Sequence, residues 1–174
     1  MPNATALSPS IRCATPADLG ALTDLVNRAY QVEAFFVEGD RTTADEVRAL
    51  AEAGKFLVLD AGGELAAAVY VRPEADADAE PGAGPVAGSF GMLSVAPELQ
   101  GRGLGKRMIA VAEAMCAAMG CATVGVRVVN VREELPPFYR RLGYRETGTI
   151  PFTDPRVRQP CHFIEMKKAL GAQA

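Results

Sequence analysis

The sequence predicts an α/β protein in which helices pack against one mixed sheet. Two observations lead to this fold class. Hydrophobic residues recur with strand and helix periods in the order strand, two helices, three strands, helix, strand, helix and two strands. The chain has 174 residues, of which 49% are hydrophobic and 22% charged, and this suits a single globular domain spanning residues 1–174.

The first part of the chain predicts one strand and two helices. Residues 1–8 are small and polar and are expected to be loose, whereas residues 11–14 form a short strand. Thr15 and Pro16 begin a helix with an apolar stripe at spacings of three and four, made of Leu19, Leu22, Leu25, Val26 and Ala29. Thr43 and Glu46 have the spacing of a capping box, so a second helix begins at Thr42 or Thr43.

The middle of the chain predicts a hairpin followed by a long loop. Residues 55–60 and 65–71 are apolar strand runs, and Gly62 and Gly63 lie in the turn between them. Residues 73–85 are rich in alanine, glycine and proline, which predicts a flexible connection. The acidic residues of this loop are interpreted as a solvated surface, with attraction of cationic substrates as the alternative.

The last part of the chain predicts three strands and two helices beyond a glycine-containing strand. That strand covers residues 86–95 and contains Gly88 and Gly91, which indicate a bulge or a close backbone approach. A helix over residues 104–119 ends at Gly120, and a strand follows over residues 123–128. A short helix over residues 134–142 precedes two closing strands, over residues 144–150 and 162–166.

Composition excludes several function classes. The net charge of −3 provides no global positive field for nucleic acid or an anionic membrane. No apolar run reaches the roughly 18 residues of a spanning helix, and no secretory signal begins the chain. The four cysteines form no C-x-x-C pair and His162 is the single histidine, so we expect no metal site, reduced thiols and a cytoplasmic location. Cys116, Cys121 and His162 are interpreted as packing residues.

The most informative segment is a glycine-rich turn between a strand and a helix. Gly101, Gly103 and Gly105 let an anion approach the backbone, and the first turn of the helix offers unpaired N–H groups. Arg102, Lys106 and Arg107 add local positive charge. The pattern therefore favours a phosphate or pyrophosphate site over a turn that needs glycine for its shape alone.

Two common phosphate-binding motifs fit this turn poorly. A P-loop requires a hydroxyl residue after its lysine, but Arg107 follows Lys106 here. A dinucleotide-binding turn requires G-x-G-x-x-G at the first βα unit, whereas this turn reads G-x-G-x-G and follows several strands.

Two segments resemble the GCN5-related N-acetyltransferase (GNAT) family. Gln100-x-x-Gly103-x-Gly105 is similar to the acyl-CoA signature of that family, and Phe138-Tyr139 followed by Gly143-Tyr144 is similar to its FY-x-x-x-G-F/Y segment. The order of elements also agrees over nearly the whole chain. The resemblance implies a mixed, mostly antiparallel sheet with helices on both faces, splayed to form an acyl-CoA cleft.

The resemblance also implies roles for individual residues. Backbone N–H groups of the turn would hold the CoA pyrophosphate, the strand before it would pair with the pantetheine arm, and the Val95 N–H would stabilise an oxyanion. Tyr139 would be the general acid that protonates the departing thiolate. The residues expected to bind acetyl-CoA are Leu93, Ser94, Val95, Gln100, Gly101, Arg102, Gly103, Leu104, Gly105, Lys106 and Asn130.

The general base and the acceptor site are less defined. The strand before the signature contains no acidic residue, so the base is Glu33, Glu38, a relayed water or none. The acceptor is expected against the loop between the first two helices, which contributes Tyr30, Glu33, Phe35 and Phe36. A hydrophobic plug over the sheet is the equal alternative for these aromatic residues. Arg156 and Arg158 lie in a segment that would form the opposite wall, and the alternative is that these two arginines favour an acidic group on the substrate.

The predicted function is transfer of an acetyl group from acetyl-CoA to a primary amine, by direct attack in a ternary complex. A non-catalytic acyl-CoA-binding module is the alternative from another class, and a nucleotide-binding protein is a third. The acceptor is a small-molecule or peptide amine, and a homodimer is among the expectations. No metal is required.

Overall fold

The computed structural model describes residues 9–74 and 87–171. Within them, the chain forms seven strands, four α-helices and three short 3-10 segments. The strands are β1 (Ser10–Cys13), β2 (Lys55–Asp60), β3 (Leu65–Glu74), β4 (Ala87–Val95), β5 (Thr123–Val129), β6 (Arg145–Pro151) and β7 (His162–Ala169). The helices are α1 (Leu19–Ala29), α2 (Ala44–Ala53), α3 (Leu104–Ala118) and α4 (Leu135–Arg141).

The strands form one mixed sheet in the order β1-β2-β3-β4-β5-β7-β6. Strand β1 is antiparallel to β2, and β7 is antiparallel to both β5 and β6. Strand β4 is parallel to β5, and the register pairs Ala87 with Thr123, Gly88 with Val124 and Ser89 with Gly125. The predicted fold class, a mixed and mostly antiparallel sheet with helices, is confirmed. Beyond these three residue pairs, β4 and β5 are expected to splay apart, and this splay stays a prediction.

The chain divides into two compact units. The first contains residues 9–31, 40–70 and 92–111, and the second contains residues 32–39, 71–74, 87–91 and 112–171 of the described chain. In the first unit, apolar side chains of α1 and α2 pack with those of β2 and β3, with Leu22, Val26, Val47 and Val58 fully buried. The second unit has a core around Phe36, Val37 and Val129.

The first two helices begin in different ways, α2 at a capping box and α1 after a 3-10 turn. Thr43 accepts a hydrogen bond from the Glu46 N–H at 3.2 Å, and the Glu46 carboxylate accepts from the Thr43 N–H at 2.9 Å. This is the capping box that the sequence predicts, and α2 begins directly after it. The first helix differs slightly from prediction, because Pro16–Asp18 forms a 3-10 turn before α1 begins at Leu19.

The long loop begins later than predicted. Strand β3 continues through Pro73 to Glu74, so the first two residues assigned to the loop belong to the sheet. Pro73 is exposed near the end of this strand, and a proline, which lacks an N–H, is tolerated at such a position. The rest of the predicted connection, residues 75–85, lies outside the described residues.

The structure requires glycine at positions 88 and 120 for two different reasons. A Cβ on Gly88 would lie 2.6 Å from the Cys116 sulfur, so this strand glycine marks the close approach that the sequence suggested. Gly120 has a φ of 87°. The Cys121 N–H donates to the Cys116 carbonyl and the Gly120 N–H donates to the Ala117 carbonyl, which is the Schellman arrangement that ends α3.

An ion-pair network joins β1, β2 and the first 3-10 turn. The Arg12 guanidinium donates to both carboxylate oxygens of Asp18, at 2.7 and 2.9 Å, and also to Asp60 at 3.0 Å. The bond from Arg12 is the largest cause that holds the pKa of Asp18 well below its usual range, and the Thr15 N–H at 2.7 Å adds to it.

We expect Asp18→Asn to lower stability at neutral pH and to matter less in acid. Since the pKa of Asp18 is depressed in the folded state, its contribution is complete above the unfolded pKa of about 4 and is lost as pH falls below it. The expected loss at pH 7 is about 1 kcal/mol, because Arg12 is partly exposed. Urea unfolding at pH 7 and pH 3 measures it, with Asp24→Asn on α1 as the control. An equal loss at both pH values would contradict the assignment.

Candidate functional site

The glycine-rich turn lies where the sequence predicts it, at the start of α3. The chain leaves β4 at Val95, passes through a 3-10 turn at Pro97–Leu99 and enters α3 at Leu104. Gly101 and Gly103 have φ values of 75° and 79°, which side-chain-bearing residues rarely adopt. A Cβ at either position would meet nothing within 4 Å, so the backbone borders open space.

The polar groups of this turn suit an anion. The first helical hydrogen bond runs from the Arg107 N–H to the Gly103 carbonyl at 3.1 Å, so the N–H groups just before Arg107 lie ahead of the helical hydrogen-bond ladder. These groups carry the positive end of the α3 dipole. Arg102, Lys106 and Arg107 are all exposed and surround the same turn. The chain is acidic overall, but this location is locally positive.

Gln100 has a defined structural role at the head of the turn. Its side-chain amide donates to the Val95 carbonyl at 3.2 Å, which closes the segment between strand and helix. The Ala96 N–H donates to the Ala66 carbonyl in β3 at 2.9 Å. Because backbone groups of successive residues point to opposite sides of a strand, the Val95 N–H is directed away from β3. An N–H with this orientation can donate to a ligand instead of to β3.

Strand β4 is irregular at a residue that the sequence did not indicate. Met92 has a φ of 47°, although glycine was expected at any such position. The buried Ser94 hydroxyl donates to the Met92 carbonyl at 3.0 Å and stabilises this conformation. This irregular backbone lies one residue beyond Gly91, and the bulge that Gly91 suggested stays a prediction. The Ser94 hydroxyl therefore makes its contact within the strand itself, and the predicted contact of Ser94 with CoA stays a prediction.

Tyr139 lies within an aromatic cluster of the second unit. Its side chain is buried, and its ring contacts Phe138 at 5.1 Å, Tyr144 at 5.5 Å and Phe90 at 6.1 Å between centroids. The Tyr139 carbonyl accepts hydrogen bonds from the N–H groups of Leu142 and Tyr144, which fixes the end of α4. The sequence identified this residue, but not the ring cluster that holds it.

Tyr144 of this cluster contacts two side chains that the sequence did not indicate, Glu113 and Lys168. The Tyr144 hydroxyl donates to the Glu113 carboxylate at 2.8 Å, and the Lys168 ammonium donates to both Glu113 oxygens at 3.0 and 2.9 Å. Burial first, and then the bond to Glu113, raises the pKa of Tyr144 far above its usual range. Glu113 lies in α3, Tyr144 directly precedes β6 and Lys168 lies in β7, and no local motif connects the three.

Two hydrogen bonds join Asn130 and His162, one to the Asn130 side chain and one between backbone groups. The Asn130 amide oxygen accepts from the His162 N–H at 2.7 Å, and the Asn130 N–H donates to the His162 carbonyl at 2.9 Å. These bonds clamp the end of β5 to the beginning of β7. The predicted contact of Asn130 with CoA stays a prediction, which the side-chain nitrogen rather than the oxygen would have to make.

The loop after α1 is tied to the segment between β6 and β7. Val37 forms an isolated bridge with Val157, and the Arg158 N–H donates to the Phe36 carbonyl at 2.8 Å. Phe36 is fully buried in this core, as the plug interpretation requires, whereas Phe35 is 56% exposed. Tyr30 belongs to the first unit, where the Arg41 guanidinium lies 5.3 Å from its ring centroid.

The two candidate bases differ in environment. Glu33 has a side chain only 13% exposed and lies 3.6 Å from Arg132, which also contacts Glu134 at 2.9 Å. Glu38 is exposed and lies 3.5 Å from Arg158. Arg156 contacts Asp154 at 2.7 Å, so both arginines expected in the opposite wall have carboxylate partners.

Cys116 is fully buried, which limits its chemistry. Burial is the main cause that raises the pKa of Cys116 to about 12, which leaves it a thiol rather than a nucleophile. No three histidine, cysteine or acidic side chains cluster as metal ligands anywhere in residues 9–74 and 87–171. In the same ranges no helix combines the length and apolar character needed to cross a membrane.

Comparison with known families gives one match that covers more than half of the chain. Residues 52–146 match the model of the acetyltransferase (GNAT) domain. This region includes the glycine-rich turn and Tyr139. A comparison with curated protein sequences finds no match.

Solved structures agree with the whole described fold. One is yncA of Salmonella typhimurium, determined with its cofactor acetyl-CoA, at 19% identity, TM-score 0.73 and coverage of 96% of each chain. Another is the ribosomal-protein-S18-alanine N-acetyltransferase of Escherichia coli, at 17% identity, TM-score 0.74 and coverage of 95% of this chain and 96% of that one. An N-acetyltransferase of Staphylococcus aureus Mu50 has 16% identity, TM-score 0.75 and coverage of 94% and 99%. At these identities the likeness concerns the fold.

Proposed function

The chain belongs to the GNAT family of acetyltransferases, and we propose that it transfers an acetyl group from acetyl-CoA to the nitrogen of a primary amine. One observation carries the proposal. The open backbone at Gly101 and Gly103 stands at the N-terminus of α3, among three exposed cations. Such a turn holds a pyrophosphate through N–H groups and the helix dipole, and a side chain at either glycine would occupy the space required.

Acetyl-CoA enters this proposal as a substrate that the turn recognises. Arg102 and Lys106 attract its phosphates, and Gln100 keeps the turn in place through its bond to the Val95 carbonyl. The backbone of Leu93 and Val95 would pair with the amides of the pantetheine arm. The Val95 N–H, directed away from β3, would donate to the thioester oxygen.

The proposed reaction is one addition and one elimination. The neutral amine attacks the thioester carbonyl carbon, a C–N bond forms, and the carbonyl oxygen becomes an oxyanion that the Val95 N–H stabilises. The C–S bond then breaks, and the CoA sulfur takes a proton from the Tyr139 hydroxyl. The nitrogen releases one proton to water and the Tyr139 phenolate regains one from water, so the net products are an amide and the CoA thiol.

The amine must lose a proton before it attacks, since alkylamines have pKa values near 10. Strand β4 has no carboxylate along Ala87–Val95 to accept it. Glu33 is the better enclosed of the two glutamates considered, and it is kept in place by Arg132. We therefore place Glu33, acting directly or through water, ahead of the exposed Glu38 as the group that receives this proton.

The acceptor class remains broad in this proposal. Glu33 and the exposed ring of Phe35 favour an amine with some apolar surface, from either a small molecule or a peptide. The ribosomal-protein-S18-alanine N-acetyltransferase of similar fold provides a precedent for an alanine of a protein as acceptor. All four cysteines are unpaired, which agrees with the reducing cytoplasm that we propose as the location.

A non-catalytic acyl-CoA-binding module is the second candidate. The observation that favours it is the absence of a carboxylate in β4. It predicts the same affinity for acetyl-CoA but no release of thiol with any amine.

The test is a calorimetric titration with acetyl-CoA, followed by an amine screen that detects the released CoA thiol. We expect micromolar binding near one molecule per chain, and thiol release with at least one primary amine. Binding without release across amines, polyamines, amino acids and peptides would favour the second candidate. Absence of binding would overturn both, because the turn would then serve only its own shape.

A further inference from the structure

Tyr139 is in contact with a side-chain network that extends through the second unit. The ring of Tyr144 meets the ring of Tyr139 edge to face, with centroids 5.5 Å apart and an interplanar angle of 79°. The Tyr144 hydroxyl donates a hydrogen bond to the Glu113 carboxylate, and the Lys168 ammonium donates to both oxygens of the same carboxylate. We call Tyr144, Glu113 and Lys168 the Tyr144 network.

We propose that the Tyr144 network is a positioning device that fixes the ring orientation of Tyr139 for proton donation. The inference rests on the proposed function, in which Tyr139 is the general acid. None of the three network residues needs to touch acetyl-CoA or the amine in this role. Their effect is exerted through the ring contact.

The Tyr144 ring is fixed at more than one point. It is 1% exposed and packs against Phe90 with centroids 6.0 Å apart, in addition to its contact with Tyr139. Its hydroxyl is held at the opposite end by a charge-assisted bond, which is stronger than a bond between neutral groups. A ring held at its edge and at its hydroxyl cannot slide along its neighbour. Since edge-to-face pairs have a preferred geometry, Tyr139 is oriented as a consequence.

The carboxylate of Glu113 is itself immobilised. Lys168 donates to both oxygens at 3.0 and 2.9 Å, and its ammonium lies 5.6 Å from the centre of the Tyr144 ring. Glu113 is only 18% exposed, so this pairing compensates the charge that burial would penalise. A role in packing alone would require only an apolar ring at position 144. The hydrogen bonds among the hydroxyl, the carboxylate and the ammonium also fix the orientation of the Tyr144 ring.

Tyr144 is not a second acid in this arrangement. Its raised pKa keeps the hydroxyl protonated, and the proton is committed to Glu113. It therefore donates a fixed hydrogen bond throughout the working pH range. The proton that reaches the CoA sulfur comes from Tyr139.

The test compares Tyr144→Phe with the parent enzyme. This variant keeps the ring and removes only the hydroxyl. We expect kcat to fall about tenfold, as a small misplacement of a catalytic group produces, with the KM for acetyl-CoA unchanged. Glu113→Gln is the second variant, since it keeps the size of the side chain and removes the charge, and it is expected to lower kcat in the same way. Circular dichroism and thermal unfolding verify that each variant is folded.

The decisive measurement is a double-mutant cycle with Tyr139→Phe. If the network acts through Tyr139, adding Tyr144→Phe to Tyr139→Phe causes no further loss of kcat. Tyr70→Phe is the matched control, because it removes a hydroxyl from a buried tyrosine of the other unit's core and should leave kcat unchanged. Unchanged kcat in folded Tyr144→Phe and Glu113→Gln, or losses that multiply in the cycle, would overturn the inference alone. Unchanged turnover in Tyr139→Phe would instead overturn the acid role on which it rests.

Discussion

Replacing Gly103 by valine is expected to abolish acetyl-CoA binding. The backbone at this position borders open space at the start of α3, and the φ of 79° directs a Cβ into a conformation that L-residues rarely adopt. A branched side chain would occupy the volume that the pyrophosphate requires and would hinder access to the N–H groups of the helix. Calorimetric titration with acetyl-CoA measures the result, and we expect at least a 100-fold loss of affinity, about 2.7 kcal/mol.

The strain of a positive φ must be separated from loss of the ligand site. Gly62 provides the control, because it has a φ of 80°, meets nothing within 4 Å of an added Cβ, and lies in the β2–β3 turn of the same unit. Gly62→Val should therefore lose a similar amount of stability and keep its affinity for acetyl-CoA. If Gly103→Val is folded and binds as the parent does, the turn is not the pyrophosphate site.

Much of the fold follows from signals that are local in sequence. The capping box of Thr43 and Glu46 specifies the beginning of α2, and Gly120 and Gly143 adopt the positive φ values that end α3 and α4. Each of these depends on residues within one turn of each other, so the sequence contains the whole interaction. The glycine-rich turn is predictable for the same reason.

The site beyond that turn depends on contacts between distant residues. Tyr144 meets Glu113 from 31 positions away, and Lys168 meets it from 55 positions away. Their pairing is decided by the order of β5, β7 and β6 in the sheet, which hydrophobic periodicity does not determine. The same holds for Phe36, whose position as an exposed wall or a buried plug depends on its bridge to the segment around Val157.

The positive φ of Met92 illustrates a different limit. Glycine is the residue that signals such a conformation, so the sequence pointed to Gly91 and not to its neighbour Met92. The strained residue persists because the strand around it is held, by the Ser94 hydroxyl on the Met92 carbonyl and by the packing of Met92 on the first unit's core. Neither contact can be read from residue types at these positions.

Tyr139→Phe is expected to lower kcat by about 100-fold while acetyl-CoA affinity stays nearly intact. The phenol hydroxyl is the only group removed, and the ring contacts with Phe138 and Tyr144 persist, so the fold of the cluster should not change. A proton donor acts on the sulfur only as the C–S bond breaks, so its loss affects the transition state and not the bound thioester. Steady-state kinetics with a saturating amine measures kcat, and calorimetry measures the affinity.

The same variant separates a proton donor from a binding residue. If the Tyr139 hydroxyl serves mainly to hold CoA, affinity for acetyl-CoA and for CoA should fall together with turnover. If it donates the proton, kcat falls while both affinities remain, and Tyr70→Phe, which removes a hydroxyl from the core of the first unit, changes neither quantity. Equal kcat in Tyr139→Phe and the parent would remove Tyr139 from the acid role. The departing thiolate would then have to take its proton from water, and the aromatic cluster would be part of the core alone.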